Sequence, residues 1–304
     1  MTQEEEREYS EIQQKIYQGI LFNFQTFRCG IQDPIRYDLF CPAYQELREK
    51  YHLPEIAAEG TPFRRGMRIL HHFSPRLTHQ SWFAPGTVEP NALSLLDYSY
   101  EQPQHGINCL NKSKILVECC LAVGIYARRM HILPLSPYDM DNHVVVEIYD
   151  DTLEKWVMLD PSTDGWFAEE MGLPLSLLQM RERFAKNQFV TYLKATDDPA
   201  RATVLRAGYC EDNTYVCKNL FRFQADCYNG FGEREERFDF VPEGYSVKAN
   251  RVAKWDYCLS VCADQPGMTE YVTQKMEEER DLTEPVCSDL SVLLAPPERS
   301  ENPR

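Results

Sequence analysis

Apolar residues recur every four positions near the start of the chain. Over residues 4–28, which are otherwise rich in Glu and Gln, this apolar stripe consists of Ile12, Ile16, Ile20 and Phe24. The spacing is typical of an amphipathic helix that buries one face. We therefore predict that residues 1–60 form a helical extension packed on a larger core.

Helix start signals and apolar periodicity mark four further segments. A Pro in the first turn, a Thr or Asn before that turn, or apolar residues at helical spacing identify each of them. The predicted helices are residues 42–51, 61–73, 91–98 and 174–194, with a loop over residues 74–90.

The clearest buried helical face lies between residues 108 and 124. Its apolar positions are Ile115, Leu116, Cys119, Cys120 and Val123. Asn108 is a favourable N-cap and Gly124 a favourable C-cap, so Cys109 falls in the first turn. There the unpaired backbone N–H groups and the helix dipole favour a thiolate. We expect Cys119 and Cys120, by contrast, to pack in the core.

Two runs of β-branched residues follow this helix. Residues 143–149 and 156–160 predict two strands of an antiparallel hairpin, with a turn over residues 150–155. A register centred on the turn sets His143 directly opposite Asp160, on the same face, with Cβ atoms about 4.5–5.5 Å apart. A slip of one residue would send the two side chains to opposite faces.

The pattern changes again towards the C-terminus. Aromatic and β-branched runs over residues 203–257, broken by Gly and Asn, predict one or two hairpins that extend the sheet or cover a cleft. The acidic, polar composition beyond them predicts a mobile tail. The predicted organisation is a helical extension (1–60), a core (61–195), a β-rich extension of the same domain (196–263) and the tail (264–304).

Charge and composition narrow the classes of function. The 304 residues are 43% hydrophobic and carry a formal net charge of −15, so nucleic acid and anionic membranes are poor partners. No secretory signal or apolar stretch of membrane-spanning length is visible, and we expect a soluble cytoplasmic protein.

Eleven Cys without a C-x-x-C pair predict reduced thiols, and we expect neither a metal site nor a cofactor.

Cys109, His143 and Asp160 supply the groups that nucleophilic catalysis by a thiol requires. A thiol with an ordinary pKa of about 8.5 is mostly protonated at neutral pH. A neighbouring imidazole can hold it as a thiolate, and a carboxylate orients the imidazole and stabilises its charge. One helix and two strands carry the three residues in the order Cys, His, Asp, which predicts such a site.

The motifs around these residues resemble the transglutaminase-like superfamily. They are Gly106-Ile107-Asn108-Cys109, Gly124-Ile125-Tyr126-Ala127-Arg128, Asn142-His143-Val144 and Trp156-Val157-Met158-Leu159-Asp160-Pro161. The resemblance covers residues 61–185 and implies an α+β fold with a papain-like core. In that fold, helices pack on an antiparallel β-sheet, here with an additional C-terminal β-hairpin region.

The same resemblance implies roles for individual residues. Cys109 would be the nucleophile, His143 the base and Asp160 the group that orients the base. The backbone N–H of Cys109 would be one oxyanion donor. The candidates for the second donor are Gln102, Gln104 and Trp82.

The chain departs from the family pattern at two points. Tyr126 stands where the family often has Pro. The interval of 17 residues from His143 to Asp160 is slightly long, and a longer turn of the same parity accommodates it.

Charged residues near the predicted strands are expected to have other roles. Arg128 and Glu147 are interpreted as structural. The acidic residues beside the His143 strand are interpreted as solvated loops or, alternatively, as a cation-attracting mouth. They are Asp139, Asp141, Asp150 and Asp151.

The implied function is cysteine-dependent acyl transfer through a Cys109 thioester. Transfer to water would make the protein a peptidase or amidase, and transfer to an amine a transglutaminase. Hydrolysis is favoured because family members that retain only the core are often hydrolytic, and no calcium-loop pattern is present. The alternatives are a non-catalytic binding or scaffold module on the same fold and a redox-sensing thiol protein. The expected partner is a protein, peptide or other amide substrate.

Overall fold

β-Branched residues place the strand that begins at His143 in the middle of a sheet. The computed structural model describes residues 2–81, 88–139, 141–195, 211–232, 234, 236–264, 266–279 and 283–298. Within these ranges the sheet contains β2 (Ala127–Leu133), β3 (His143–Asp150), β4 (Lys155–Asp160), β5 (Gly165–Ala168), β6 (Thr191–Lys194), β7 (Arg222–Asp226) and β9 (Arg237–Phe240). Their order is β6-β5-β4-β3-β2-β7-β9, and all neighbours are antiparallel. Strands β1 (Arg36–Tyr37) and β8 (Tyr228–Asn229) form a separate parallel pair.

Helices cover both faces of the sheet. Among the described residues they are α1 (Gln3–Asn23), α2 (Ala43–Tyr51), α3 (Leu53–Ala57), α4 (Pro62–Phe73), α5 (Ala92–Leu95), α6 (Cys109–Ala122), α7 (Leu177–Ala185), α8 (Glu211–Asn219), α9 (Val247–Val261), α10 (Pro266–Glu278) and α11 (Ser291–Leu294). A 3₁₀ turn at Ser74–Arg76 follows α4, and a π-helical segment at Leu96–Tyr100 follows α5. None of the helices in the described part of the chain has both the length and the apolarity needed to cross a bilayer.

Two hydrophobic cores lie on opposite faces of the sheet. One joins α2, α4, α5 and α6 to the side chains of Val146, Ile148 and Leu159. The other joins α1, α7 and α8 to Val145 and Met158. The protein therefore belongs to the mixed α+β class with helices packed on an antiparallel sheet, as the sequence predicts at that level.

The predicted register of the β3–β4 hairpin is wrong by two residues. Val146 lies opposite Leu159, and Asp150 lies opposite Lys155. The turn closes over residues 151–154, with Glu154 at a φ of 53° and the backbone N–H groups of residues 152 and 153 donating to Asp150 Oδ1. A shift of two residues preserves the face of every side chain.

The long helix predicted over residues 174–194 is two elements. Helix α7 ends at Ala185, and Thr191–Lys194 is strand β6. Asn187 adopts a left-handed φ of 52°, which ends the helix, and the segment Thr191–Lys194 beyond it pairs with β5. Propensity alone did not separate the two elements.

The C-terminal third also needs correction. Residues 196–263 contain helices α8 and α9 as well as strands β7 to β9, so "β-rich" describes only part of that segment; residues 196–210 lie outside the described ranges. The predicted mobile tail, 264–304, contains helix α10 and a packed segment. Leu293 is buried in the second core, because a short apolar pair, Val292 and Leu293, interrupts the acidic composition.

Candidate active site

Cys109 begins helix α6. Asn108 caps this helix, since its Oδ1 accepts a hydrogen bond from the backbone N–H of Asn111 at 3.2 Å. The backbone N–H groups of the first turn have no partner within the helix. The Cys109 side chain is partly exposed, whereas Cys119 and Cys120 on the same helix are buried. The thiol at the helix start is therefore the one on α6 that a reagent can reach.

His143 and Asp160 form a buried pair. His143 Nε2 lies 2.7 Å from Asp160 Oδ2, and both residues are nearly inaccessible to solvent. Asp160 Oδ1 accepts the backbone N–H of Ser162 at 2.8 Å, so both carboxylate oxygens are engaged. The pair forms despite the shifted register, because a shift of two residues in the strand pairing keeps both side chains on one face of the sheet.

The third group, the Cys109 side chain, lies close enough to His143 to help raise the pKa of the imidazole. Since Nε2 faces Asp160, Nδ1 is the imidazole nitrogen left for Cys109. Helix α6 is held over the start of β3 by Ser113, whose Oγ donates to the carbonyl of Val144 at 2.8 Å. The structure thus brings Cys109, His143 and Asp160 together, with the imidazole between the thiol and the carboxylate.

The electrostatics of this cluster favour a charged imidazole. Burial alone lowers the pKa of His143, but the carboxylate of Asp160 and the side chain of Cys109 outweigh it and raise that pKa to about 10. Burial raises the pKa of Asp160, yet His143 and the hydrogen bonds from Ser162 and Thr163 leave it below its usual value. The pair is therefore an imidazolium and a carboxylate at neutral pH.

Tyr215 is a site residue that the sequence analysis missed. Its ring packs edge-on against the His143 ring, with centroids 5.4 Å apart and an interplanar angle of 66°. It lies on α8, in a segment predicted as β-rich. Burial, then the charges of Asp141 and Cys109, raise the pKa of its hydroxyl. No local pattern marks this residue, since only the tertiary packing of α8 brings it to His143.

Lys112 and the chain before the helix close another side of the cluster. Lys112 is buried, and its Nζ donates to the carbonyl of Leu77 at 2.6 Å. Burial lowers the pKa of Lys112, and the charges of Asp160 and Cys109 oppose that effect. A bridge joins His79 to Ile107. A Cβ at Gly106 would lie 2.7 Å from Gln80 Cβ, so a larger residue would force these two segments apart.

The candidates for a second oxyanion donor stay predictions. Gln102 Nε2 donates to the carbonyl of Asp97 at 3.3 Å, so its amide is used within its own turn. Gln104 is exposed, and no hydrogen bond among the described residues joins it to Cys109. Trp82 lies outside the described residues.

The charged residues near the strands have distinct environments. Arg128 and Glu147 form a buried ion pair at 2.6 Å. Asp150 is fully buried and accepts the backbone N–H of Phe63 at the start of α4, so its interpretation as a solvated loop residue is wrong. Its acceptor role in the turn and at the helix start explains the burial.

The other two acids near His143 are partly neutralised. Lys218 on α8 lies 2.8 Å from Asp139 and 3.7 Å from Asp141. One cation therefore serves two carboxylates at the loop that precedes β3. This pairing weakens the alternative of a cation-attracting mouth.

Comparison with known proteins adds little to this geometry. No protein-family model matches the chain, and no curated protein matches it. Among solved structures, a protein of Cytophaga hutchinsonii described as a candidate cysteine protease aligns with 41% of this chain and 40% of its own length. The identity is 16% and the TM-score 0.32. The chain thus spans less than half of that protein's length.

Proposed function

We propose that the protein is a cysteine-dependent hydrolase that cleaves an amide or peptide bond through a thioester on Cys109. One observation carries this proposal: the His143 imidazole lies between the Cys109 side chain and the Asp160 carboxylate, which is 2.7 Å from Nε2. A nucleophile, a base and a group that orients the base are the parts that acyl transfer requires.

The proposed reaction proceeds in two halves. His143 already holds the thiol proton as an imidazolium, and the Cys109 thiolate attacks the carbonyl carbon of the substrate. The amine then leaves with the His143 proton as the carbon–nitrogen bond breaks, giving a thioester and a neutral imidazole. In the second half His143 takes a proton from water, the hydroxide attacks the thioester, and the carboxylic acid leaves as the Cys109 thiolate is restored beside the imidazolium. The backbone N–H of Cys109, free at the helix start, would stabilise the oxyanion.

Thiol reactivity tests the proposal without knowledge of the substrate. The folded protein is treated with limiting iodoacetamide across a pH series, and the labelled cysteines are mapped by mass spectrometry. Cys29 is exposed and Cys109 only partly exposed, so accessibility alone predicts faster labelling of Cys29. Activation by His143 predicts that Cys109 reacts faster at pH 6–7, well below the ordinary thiol pKa of about 8.5.

Two variants complete this experiment. His143→Ala is expected to abolish the preference for Cys109. His105→Ala serves as the matched control, since His105 stacks on Tyr98 and its Nδ1 donates to the Tyr98 carbonyl at 3.1 Å rather than acting at the thiol. If Cys109 labels no faster than Cys29, or if both His variants behave alike, the catalytic proposal is wrong and a binding module becomes the better description.

The acyl acceptor is determined separately. An activated Cys109 justifies a screen of peptide and amide substrates with a primary amine present at a concentration that competes with water. A carboxylic acid product supports hydrolysis. A new amide formed in preference to the acid would instead assign the protein to the amine-accepting class.

A further inference from the structure

A second concave site lies at the same end of the sheet as His143. It is a cavity of about 560 Å³ between the start of β7 and the first turns of α9, a size typical of small-ligand pockets. Four cationic side chains line it: Arg222, Arg237, Arg251 and Lys254. Such a concentration of positive charge is unexpected in a chain whose net charge is −15.

Arg222 is buried without a full set of partners. It is 7% exposed, and its Nε and Nη1 have no hydrogen-bond partner among the residues that the structure describes. The nearest acid, Asp239, lies 3.7 Å from Nη1, and its Oδ1 already accepts from Gln224 at 2.9 Å. The adjacent hydroxyl of Tyr245 is also buried, and it makes no well-formed hydrogen bond within the described part of the chain. A guanidinium has five N–H donors, and leaving them buried and unpaired is costly.

Lys254 is the second cation of the cavity whose charge is incompletely paired. It is partly buried on α9 and makes no ion pair or hydrogen bond with the residues that the structure describes. Burial lowers its pKa. An anion beside its Nζ would offset that burial cost, because it favours the charged ammonium.

The acids around the cavity neutralise these two residues only in part. Asp139, Asp141 and Asp239 also line the cavity; the first two pair with Lys218, and Asp239 makes only the 3.7 Å contact with Arg222. The remaining cations have closer acids: Arg251 lies 2.6 Å from Glu279, and Arg237 lies 3.4 Å from Asp226. Among the described residues, Arg222 and Lys254 are thus the least completely paired cations of the cavity.

The cavity adjoins the candidate active site. Its lining includes Asn142, the residue before His143. Arg222 lies opposite Leu133 at the end of β2, and the residue before Leu133 lies opposite His143. The two side chains therefore leave opposite faces at the same end of the sheet.

We infer that this cavity binds an anionic group, a carboxylate or a phosphate, held by Arg222 and Lys254. Guanidinium and ammonium groups bind both anions through charge-assisted hydrogen bonds. The inference concerns binding and does not rest on the hydrolase proposal.

Isothermal titration calorimetry of the full chain tests the inference with two probes. Inorganic phosphate and succinate are titrated separately in sodium chloride of matched ionic strength, and the tighter probe identifies the preferred anion. Because Arg222→Met could unfold the protein, Lys254→Met is the main variant. Lys248→Met is its control, because Lys248 is an exposed lysine on the same helix that does not line the cavity.

The expected result is saturable binding of at least one probe. Removing one charge-assisted contact should weaken it by roughly tenfold in Lys254→Met and leave it unchanged in Lys248→Met. The inference is overturned if neither probe binds, or if the two lysine variants bind alike. Iodoacetamide labelling of Cys109 in Lys254→Met separates the two proposals, since loss of anion binding should leave thiol activation intact.

Discussion

Replacing Asp160 with Asn tests the proposed site most directly. The backbone N–H of Ser162 donates to Asp160 Oδ1 at 2.8 Å, and this donor fixes the orientation of an Asn amide. The Asn carbonyl must face Ser162, which turns its NH₂ group towards His143 Nε2. His143 must then accept at Nε2, so its proton moves to Nδ1, the nitrogen that faces Cys109. In that tautomer the imidazole cannot take the thiol proton.

The size of the effect follows from thiol chemistry. A thiol without a base has a pKa of about 8.5, so about 1% is thiolate at pH 6.5. We therefore expect the rate of iodoacetamide labelling at Cys109 in Asp160→Asn to fall by up to about 100-fold at pH 6.5. The rate should recover as the pH rises towards 9, because an ordinary thiol ionises there.

The control for this experiment is Asp150→Asn. Asp150 is an equally buried carboxylate at the far end of β3, where it accepts backbone N–H groups. Its replacement perturbs packing and charge without touching His143. If Asp160→Asn labels at the wild-type rate across the pH series, or no more slowly than Asp150→Asn, the proposed role of the carboxylate is refuted.

The stability of Asp160→Asn should differ from that of the wild type by an amount that depends on pH. His143 has a raised pKa of about 10, so the stabilisation it contributes is complete below its unfolded value of about 6.5 and disappears as the pH rises towards 10. Asp160 has a lowered pKa, so its contribution is lost as the pH falls below about 4. The loss of unfolding free energy in Asp160→Asn, measured in urea, should be largest between about pH 4 and pH 6.5. We expect it to reach about 3 kcal/mol there. A deficit that does not change with pH would contradict the ion pair.

Three further substitutions probe other parts of the structure. Glu147→Ala leaves the buried guanidinium of Arg128 unpaired and should lower the free energy of unfolding by about 3–5 kcal/mol, measured in urea. Leu293→Ala leaves a cavity in the second core and should cost about 2–4 kcal/mol in the same assay. Tyr215→Ala admits water beside His143 and should slow labelling at pH 6.5 by about threefold or more, whereas Tyr215→Phe keeps the ring and should retain the wild-type rate.

Each of these predictions has a clear contrary outcome. A loss below about 1 kcal/mol in Glu147→Ala would show that Arg128 finds another partner or reaches water. An unchanged Leu293→Ala would mean that the C-terminal segment does not contribute to the core. Equal rates for both Tyr215 variants would assign its effect to the hydroxyl, if both are slow, or to neither group, if both are fast.

Local patterns in the sequence were sufficient to place the three candidate residues on their elements. Asn108 and Gly124 delimit α6, so Cys109 had to lie in its first turn. His143 and Asp160 were assigned to one face by strand parity, and parity survives a register error of two residues. The predicted residue-to-residue pairing across the hairpin was wrong. The turn closes on Asp150 and Lys155 through backbone hydrogen bonds that propensity does not encode.

Features created by distant segments could not be predicted in the same way. Tyr215 reaches His143 only through the packing of α8. Asp150 reads as a loop acid, yet it meets the backbone of Phe63, 87 residues earlier in the chain. Arg222 and Lys254 are ordinary cations in the sequence, and their incomplete pairing within the described residues is visible only in the structure.

The segment 283–298 has a consequence for how the protein is made. Arg128 Nη2 donates to the carbonyl of Leu293, and Trp156 Nε1 donates to the carbonyl of Ala295. On the ribosome the central strands emerge long before these acceptors do. The guanidinium of Arg128 therefore packs against the Trp156 ring but lacks the Leu293 carbonyl as an acceptor until synthesis has passed residue 295. Native packing around the central sheet is completed late, and a nascent chain stalled before that point should present a groove that chaperones or proteases can recognise.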